Sequence, residues 1–168
     1  MEEASKPEET RISALLWLDE AEIYAQALER AGFGARLDIQ QLRSDQQPSD
    51  AQLARAGILL ARVAPPGLLA RMPKLRWIQA LTAGVEHWVS RPDLNPGIAL
   101  SCARGTHRVK MPENILGALF HLTKPYAQAT LDQRDRRWVR RVSEPLAGKT
   151  LGILGLGEIG RELAKKAS

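Results

Sequence analysis

Residues 151–160 read Leu151-Gly152-Ile153-Leu154-Gly155-Leu156-Gly157-Glu158-Ile159-Gly160, and this stretch decides how the rest of the chain is understood. The apolar run Leu151–Leu154 predicts a strand, and Ile159, Leu163 and Ala164 behind it share a helical face. Between them lies G-x-G-x-x-G. In that context the first glycine permits a tight strand-to-helix turn, and the second lets a pyrophosphate approach the backbone. The third lets helix and strand pack closely, while the helix N-terminus offers N–H groups and partial positive charge. The functional reading is a dinucleotide site. An acidic residue about twenty positions further on would complete the fingerprint, and that position falls past Ser168, so a ligand-free tight turn stays open as the plain alternative.

Upstream, short apolar runs alternate with amphipathic stretches, the pattern of parallel strands joined by crossover helices. Strands are expected over 12–18, 36–42, 58–63, 76–81 and 98–102. Asp19 is the expected N-cap of a first helix whose Ile23, Ala27, Leu28 and Ala31 face inward. Further helical pieces are expected over 51–56, after Pro65-Pro66, near 85–89, and from Pro112 onward with a break at Pro125. Pro145 and Gly148 mark a boundary before the strand at Leu151. The fold class is therefore α/β: a five-stranded parallel sheet over 12–102 in the flavodoxin-like order 2-1-3-4-5, connecting helices over 112–142, and the opening of a second domain. One strand and one helix do not bury both faces of a parallel strand, so the sequence reads as the N-terminal portion of something larger.

Composition fits a soluble globular protein, at 168 residues, 44% hydrophobic and 26% charged. The single cysteine, Cys102, excludes an internal disulfide and a CxxC metal or redox pair. No apolar run approaches a membrane span, and MEEASKPEET is acidic where a secretory signal is basic, so the cytoplasm is the expected compartment. The net charge of +5 is local. It comes from Arg134, Arg136, Arg137, Arg140, Arg141 and Lys149, with a smaller share in the tail, and describes one surface rather than the whole fold.

Four segments, in order, resemble the D-isomer-specific 2-hydroxyacid dehydrogenase family: LRWIQALTAGVEHW at 75–88, SCARGTHRVKMPENILGALFHL at 101–122, RRW at 136–138 and LAGKTLGILGLGEIGRELAKKA at 146–167. The resemblance implies an acidic tail over 1–11, a flavodoxin-like substrate domain over 12–110, interdomain and dimer helices over 111–142, and the start of an NAD(P)-binding Rossmann domain over 146–168. It implies a nicotinamide cofactor, NAD or NADP, and a small 2-hydroxy or 2-oxo acid as substrate. The substrate carboxylate would rest on the backbone N–H groups of Ala83, Gly84 and Val85; the pyrophosphate would lie at Gly155, Gly157, Glu158, Ile159 and Gly160. Taken alone, Thr82-Ala83-Gly84 reads equally well as the cap of a short helix.

The family's catalytic arginine, glutamate and histidine follow the glycine turn. No residue of this chain is matched to them, no metal ligand is assigned, and the polypeptide is expected to be inactive by itself. His87, His107 and His121 have no nucleophile at a recognisable spacing. Glu113 reads as a structural carboxylate at a helix start. The arginine-rich 134–141 reads as a solvated or partner-facing helix, placed where the family makes homodimer contacts. Only Trp138 interleaves it, which argues against nucleic acid. The alternative function is a non-catalytic, cofactor-sensing or partner-binding module of the same fold.

Overall fold

The computed structural model describes residues 11–168, so the tail expected over 1–11 lies, except for Arg11, outside the described residues. The chain divides into two compact units after Ala103. The first holds five strands, β1 (Ile12–Trp17), β2 (Leu37–Leu42), β3 (Ile58–Ala61), β4 (Trp77–Ala80) and β5 (Ala99–Ser101). They form one parallel sheet in the order β2-β1-β3-β4-β5, as the alternation and right-handed crossovers require. Ala14 of β1 pairs with Ile39 on one side and Ile58 on the other, so β1 is central and shielded on both edges.

Apolar side chains cover both faces. Leu15, Leu59, Ile78 and Ala80 point to one core, together with Leu53 of helix α2 (Asp50–Arg55), Met72 and Trp88. Ala14, Leu16 and Leu18 point to the other, beneath helix α1 (Ala21–Arg30). Ser49 starts α2 with a reciprocal capping box to Gln52, fixing where that helix begins. A short helix, α3 (Glu86–Val89), follows β4.

Two readings of the first helix are corrected. The inward face of α1 is Ala21, Ala25 and the half-buried Leu28, while Ile23 stands 62% exposed and Ala27 is also outside. Two small side chains let the helix lie close on the sheet, and that approach outweighs burying the larger isoleucine. Asp19 is not the cap either. Glu20 holds that position without a side-chain bond, and the Asp19 carboxylate accepts the backbone N–H and hydroxyl of Ser44 across the sheet edge.

The second unit contains α4 (Lys110–Thr123), α5 (Tyr126–Arg134) and α6 (Glu158–Ala167). Lys124, preceding Pro125, is extended, which ends α4 where proline demands it. The ion pair Lys166–Glu113, at 3.2 Å, joins α6 to α4.

Here too the expectations need correcting. Leu151–Leu154 is not a strand: a strand exists through its ladder, and the described residues offer this run no neighbour. Leu154 is left fully exposed. Nor does the basic segment continue as a helix. α5 stops at Arg134, and Arg136 turns left-handed at φ 54°. Arg137 and Arg141 then fold back onto the buried carboxylate of Asp132, an interaction worth more to them than solvated helix positions.

Candidate functional site

In the first unit, parallel strands present their carboxyl ends along one edge, where such sheets take ligands. β3 and β4 stay in register up to the bond from Leu81 N–H to the Ala61 carbonyl, 3.0 Å, and their loops part beyond it. Ala83, Gly84 and Val85 lie between β4 and α3. The turn is internally braced: the Thr82 hydroxyl donates to the Gly84 carbonyl at 2.7 Å, and Ala103 N–H donates to the Thr82 carbonyl at 3.0 Å. A β-carbon on Gly84 would meet the carboxylate of the exposed Glu86, which lies against the turn and would have to swing away. Any anion arriving there must displace that carboxylate.

Sequence reasoning passed over Arg62, which reads as one more surface arginine after an apolar run. It follows β3 directly, and β3 is the sheet neighbour of β4, the strand that leads into the A-G-V turn. It lines a cavity of about 400 Å³ with Trp17, Asp19, Ser44, Val63 and Pro65, at the carboxyl ends of β1 and β3 where the strand order reverses. The Ser44 hydroxyl and N–H bonds, helped by the charges of Arg43 and Arg62, hold the Asp19 carboxyl below its ordinary range. Asp19 is therefore charged at neutral pH.

In the second unit, the glycine turn has the geometry its spacing predicts. Gly155 adopts φ 96°, which an L side chain resists. A β-carbon on Gly160 would collide with the Gly155 carbonyl oxygen, so the third glycine permits the close approach of helix and preceding chain. In front of Gly157, which caps α6, a β-carbon would meet no protein atom within 4 Å. That open face, below N–H groups with no acceptor in their own helix, suits a pyrophosphate. Glu158 opens the helix between two cations, Arg161 at 2.9 Å and Arg104 at 3.6 Å, which offset its charge beside an incoming anion. Ile159 is half-buried under the turn.

His87 Nε2 sits 3.0 Å from the Arg62 carbonyl, so its ring ties α3 to the loop after β3. His107 and His121 are exposed in the second unit. Among the described residues no cluster of three or more His, Cys, Asp or Glu is placed to hold a metal, and no helix is long and apolar enough to cross a membrane. Of the tryptophans, Trp17 and Trp88 are buried and Trp77 is partly exposed, its indole donating to the Ser101 hydroxyl at 2.7 Å. Trp138 is 96% exposed, on the segment that Arg137 and Arg141 fasten to Asp132. No periodic pattern marks that fastening, because its partners lie five and nine residues apart in irregular chain.

Comparison with known proteins points one way. Residues 116–168 match the model of the NAD binding domain of D-isomer specific 2-hydroxyacid dehydrogenases. Human D-3-phosphoglycerate dehydrogenase is 33% identical over 95 residues, covering 55% of this chain and 18% of that protein. Erythronate-4-phosphate dehydrogenase of Pseudoalteromonas translucida is 30% identical over 134 residues, covering 78% of this chain and 30% of that one. A D-isomer specific 2-hydroxyacid dehydrogenase family protein from Aeromonas salmonicida superposes with a TM-score of 0.80 at 28% identity, over 94% of this chain and 50% of the other. This chain thus spans half the length of that solved relative and less than a third of the two curated ones. The resemblance to D-isomer-specific 2-hydroxyacid dehydrogenases stands on sequence, domain model and fold alike.

Proposed function

We propose that this chain, a relative of the D-isomer-specific 2-hydroxyacid dehydrogenases, supplies the substrate domain and the first cofactor-binding turn of an oxidoreductase. That enzyme moves hydride between the nicotinamide of NAD or NADP and C2 of a small 2-hydroxy or 2-oxo acid. Residues 12–110 form the substrate domain, 111–142 the interdomain helices and 146–168 the opening of the NAD(P)-binding domain. The observation that carries the reading is the glycine turn, with its left-handed Gly155, its close Gly160 and the open space before Gly157, inside the stretch that matches an NAD binding domain.

Gly155, Gly157, Glu158, Ile159 and Gly160 take the pyrophosphate on the N–H groups at the start of α6. Bound there, the cofactor supplies or accepts the hydride. Ala83, Gly84 and Val85 take the substrate carboxylate on their backbone N–H groups, with Glu86 swinging aside and Arg62 adding positive charge from the neighbouring strand. We assign no described residue as the proton donor and expect the polypeptide to bind these ligands without turning them over. The enzyme works as a homodimer, and the clamped, exposed Trp138 with Val139 and Val142 supports a partner at this segment.

Titration of the chain with NADH, followed by backbone amide resonances, tests the cofactor reading. Shifts confined to residues 155–160 are expected, and Gly157→Val should abolish them by filling the pyrophosphate's approach. Equal shifts in that variant would remove the dinucleotide assignment.

A further inference from the structure

We infer that Arg91 and Asp93 are positioning residues: their buried pair fastens the loop after β3 to the A-G-V turn after β4, making one rigid wall for the substrate carboxylate. This rests on reading Ala83–Val85 as the carboxylate cradle. The pair lies just beyond α3, and both side chains are only 10% exposed. The Arg91 guanidinium grips Asp93 with two bonds, 2.9 and 2.8 Å. With its remaining donors it reaches across to the carbonyls of Ala64 and Pro65, the latter at 2.7 Å. Asp93 closes the ring by accepting the Leu69 N–H at 3.1 Å. The guanidinium also lies 5.7 Å from the ring centre of the fully buried Trp88, which roots the assembly in the core.

The direction of these bonds is what suggests a function. An ion pair buried merely for stability gains little over apolar residues of the same volume. The two guanidinium bonds not made to Asp93 both go to the backbone of one loop, the loop that carries Arg62, Val63, Ala64 and Pro65 along the cavity wall. The sheet ladder stops holding β3 and β4 together at the Leu81–Ala61 bond. Past it, the loop after β3 is tied to α3, the helix that the A-G-V turn leads into, by His87 on the Arg62 carbonyl, and to the chain just beyond α3 by Arg91 on Ala64 and Pro65. Lysine cannot replace the arginine, because one ammonium does not form a planar fork and also reach two further carbonyls. The Arg91 bonds hold the Asp93 carboxyl below its ordinary range, so Asp93 stays an acceptor for both Arg91 and the Leu69 N–H near neutral pH.

The test uses the whole chain with Arg91→Met, Arg91→Lys and Asp93→Asn, glyoxylate as the probe, and two readouts. In the unaltered chain, glyoxylate should shift the amide resonances of Ala83–Val85. In Arg91→Met, hydrogen exchange should accelerate in 62–69 and in 81–90 together, and glyoxylate affinity should fall about tenfold, as misplaced binding groups cost. Arg91→Lys should fall between, and NADH-induced shifts at 155–160 should be unchanged in every variant. If the methionine variant does not fold, the lysine and asparagine variants carry the comparison. A folded variant with faster exchange in 62–69 alone and unaltered glyoxylate affinity overturns the positioning role and leaves the cradle standing. Absence of any shift at Ala83–Val85 in the unaltered chain overturns the cradle, and the positioning role with it.

Discussion

Ile58-Leu59-Leu60-Ala61 and Leu151-Gly152-Ile153-Leu154 are both four-residue apolar runs ahead of a turn, and they end in opposite states. The first is β3, paired with β1 on one edge and β4 on the other, with Leu59 fully buried. The second is unpaired chain with Leu154 in solvent. Local preference hardly separates them. The neighbours do: a strand's backbone groups are satisfied only across a ladder, so a run with partners becomes a strand and a run without them stays irregular. The glycine turn shows the complementary case. Gly155 and Gly160 keep their demanding geometry although the run before them forms no strand, because turn conformation is decided within a few residues.

The same contrast sets the largest expected effect. If two binding turns were enough, the chain would catalyse. We expect it to show no hydride transfer with NADH or NADPH and a panel of glyoxylate, hydroxypyruvate and pyruvate. A positioned proton donor is typically worth a factor of roughly 10² to 10⁴. Reduced-nicotinamide absorbance near neutral pH is the measurement. Turnover within a hundredfold of an ordinary dehydrogenase, about 10 per second, would place the donor inside this chain after all.

The two apolar runs can be weighed directly. Leu59→Ala leaves a cavity in a closed core and should cost roughly 2–5 kcal/mol. Leu154→Ala removes a side chain that touches solvent and should stay within about 0.5 kcal/mol. Denaturant midpoints of the two variants, side by side, check this. A comparable loss at Leu154 would mean that the second run is packed in solution.

How much of this was legible follows from the same distinction. The sheet order was readable because alternation and crossover handedness leave few choices, and the glycine turn because each glycine answers a local steric need. The inner face of α1 was not, since Ile23–Ala27 and Ala21–Ala25 both repeat every four residues. What chooses between them is how closely the helix approaches the sheet. Asp19 had the residue type of a cap, but Ser44, brought alongside by β2, made a better partner. Arg62, Arg91 and Asp132 act through groups that only folding brings near. In the linear sequence each is one charged residue among many.

Gly155→Ala sharpens the comparison on its local side, with a smaller effect. The alanine is forced into φ near 96°, which should cost roughly 1 kcal/mol or more of local strain. Because no ladder depends on that turn, the strain should register as weaker NADH-induced shifts at 155–160 and leave the melting of the first unit unmoved. A drop in the first unit's melting temperature would show that the two regions are energetically joined.

The smallest expected effect concerns acid. Asp93 in the first unit and Asp132 in the second are both buried carboxylates gripped by arginine. For Asp93 the Arg91 hydrogen bonds outweigh the opposing effect of burial and hold the carboxyl below its ordinary 3.8 in the folded state. For Asp132 the Arg141 bonds do the same. A carboxyl depressed on folding contributes stability that is complete above its unfolded value. That contribution is lost as pH falls through the folded value. Stability should therefore be flat on this account at neutral pH and decline below about pH 4. Asp93→Asn, which keeps an acceptor for the Leu69 N–H and cannot titrate, should flatten part of that decline in signals from the sheet and leave signals from α5 alone. Asp132→Asn should do the reverse, releasing Arg137 and Arg141 without touching the sheet. Unfolding followed at Trp88 for the first unit and Trp138 for the second, between about pH 5 and 3, separates the two. Should either substitution flatten both signals equally, the units titrate as one body and the division after Ala103 has no thermodynamic meaning.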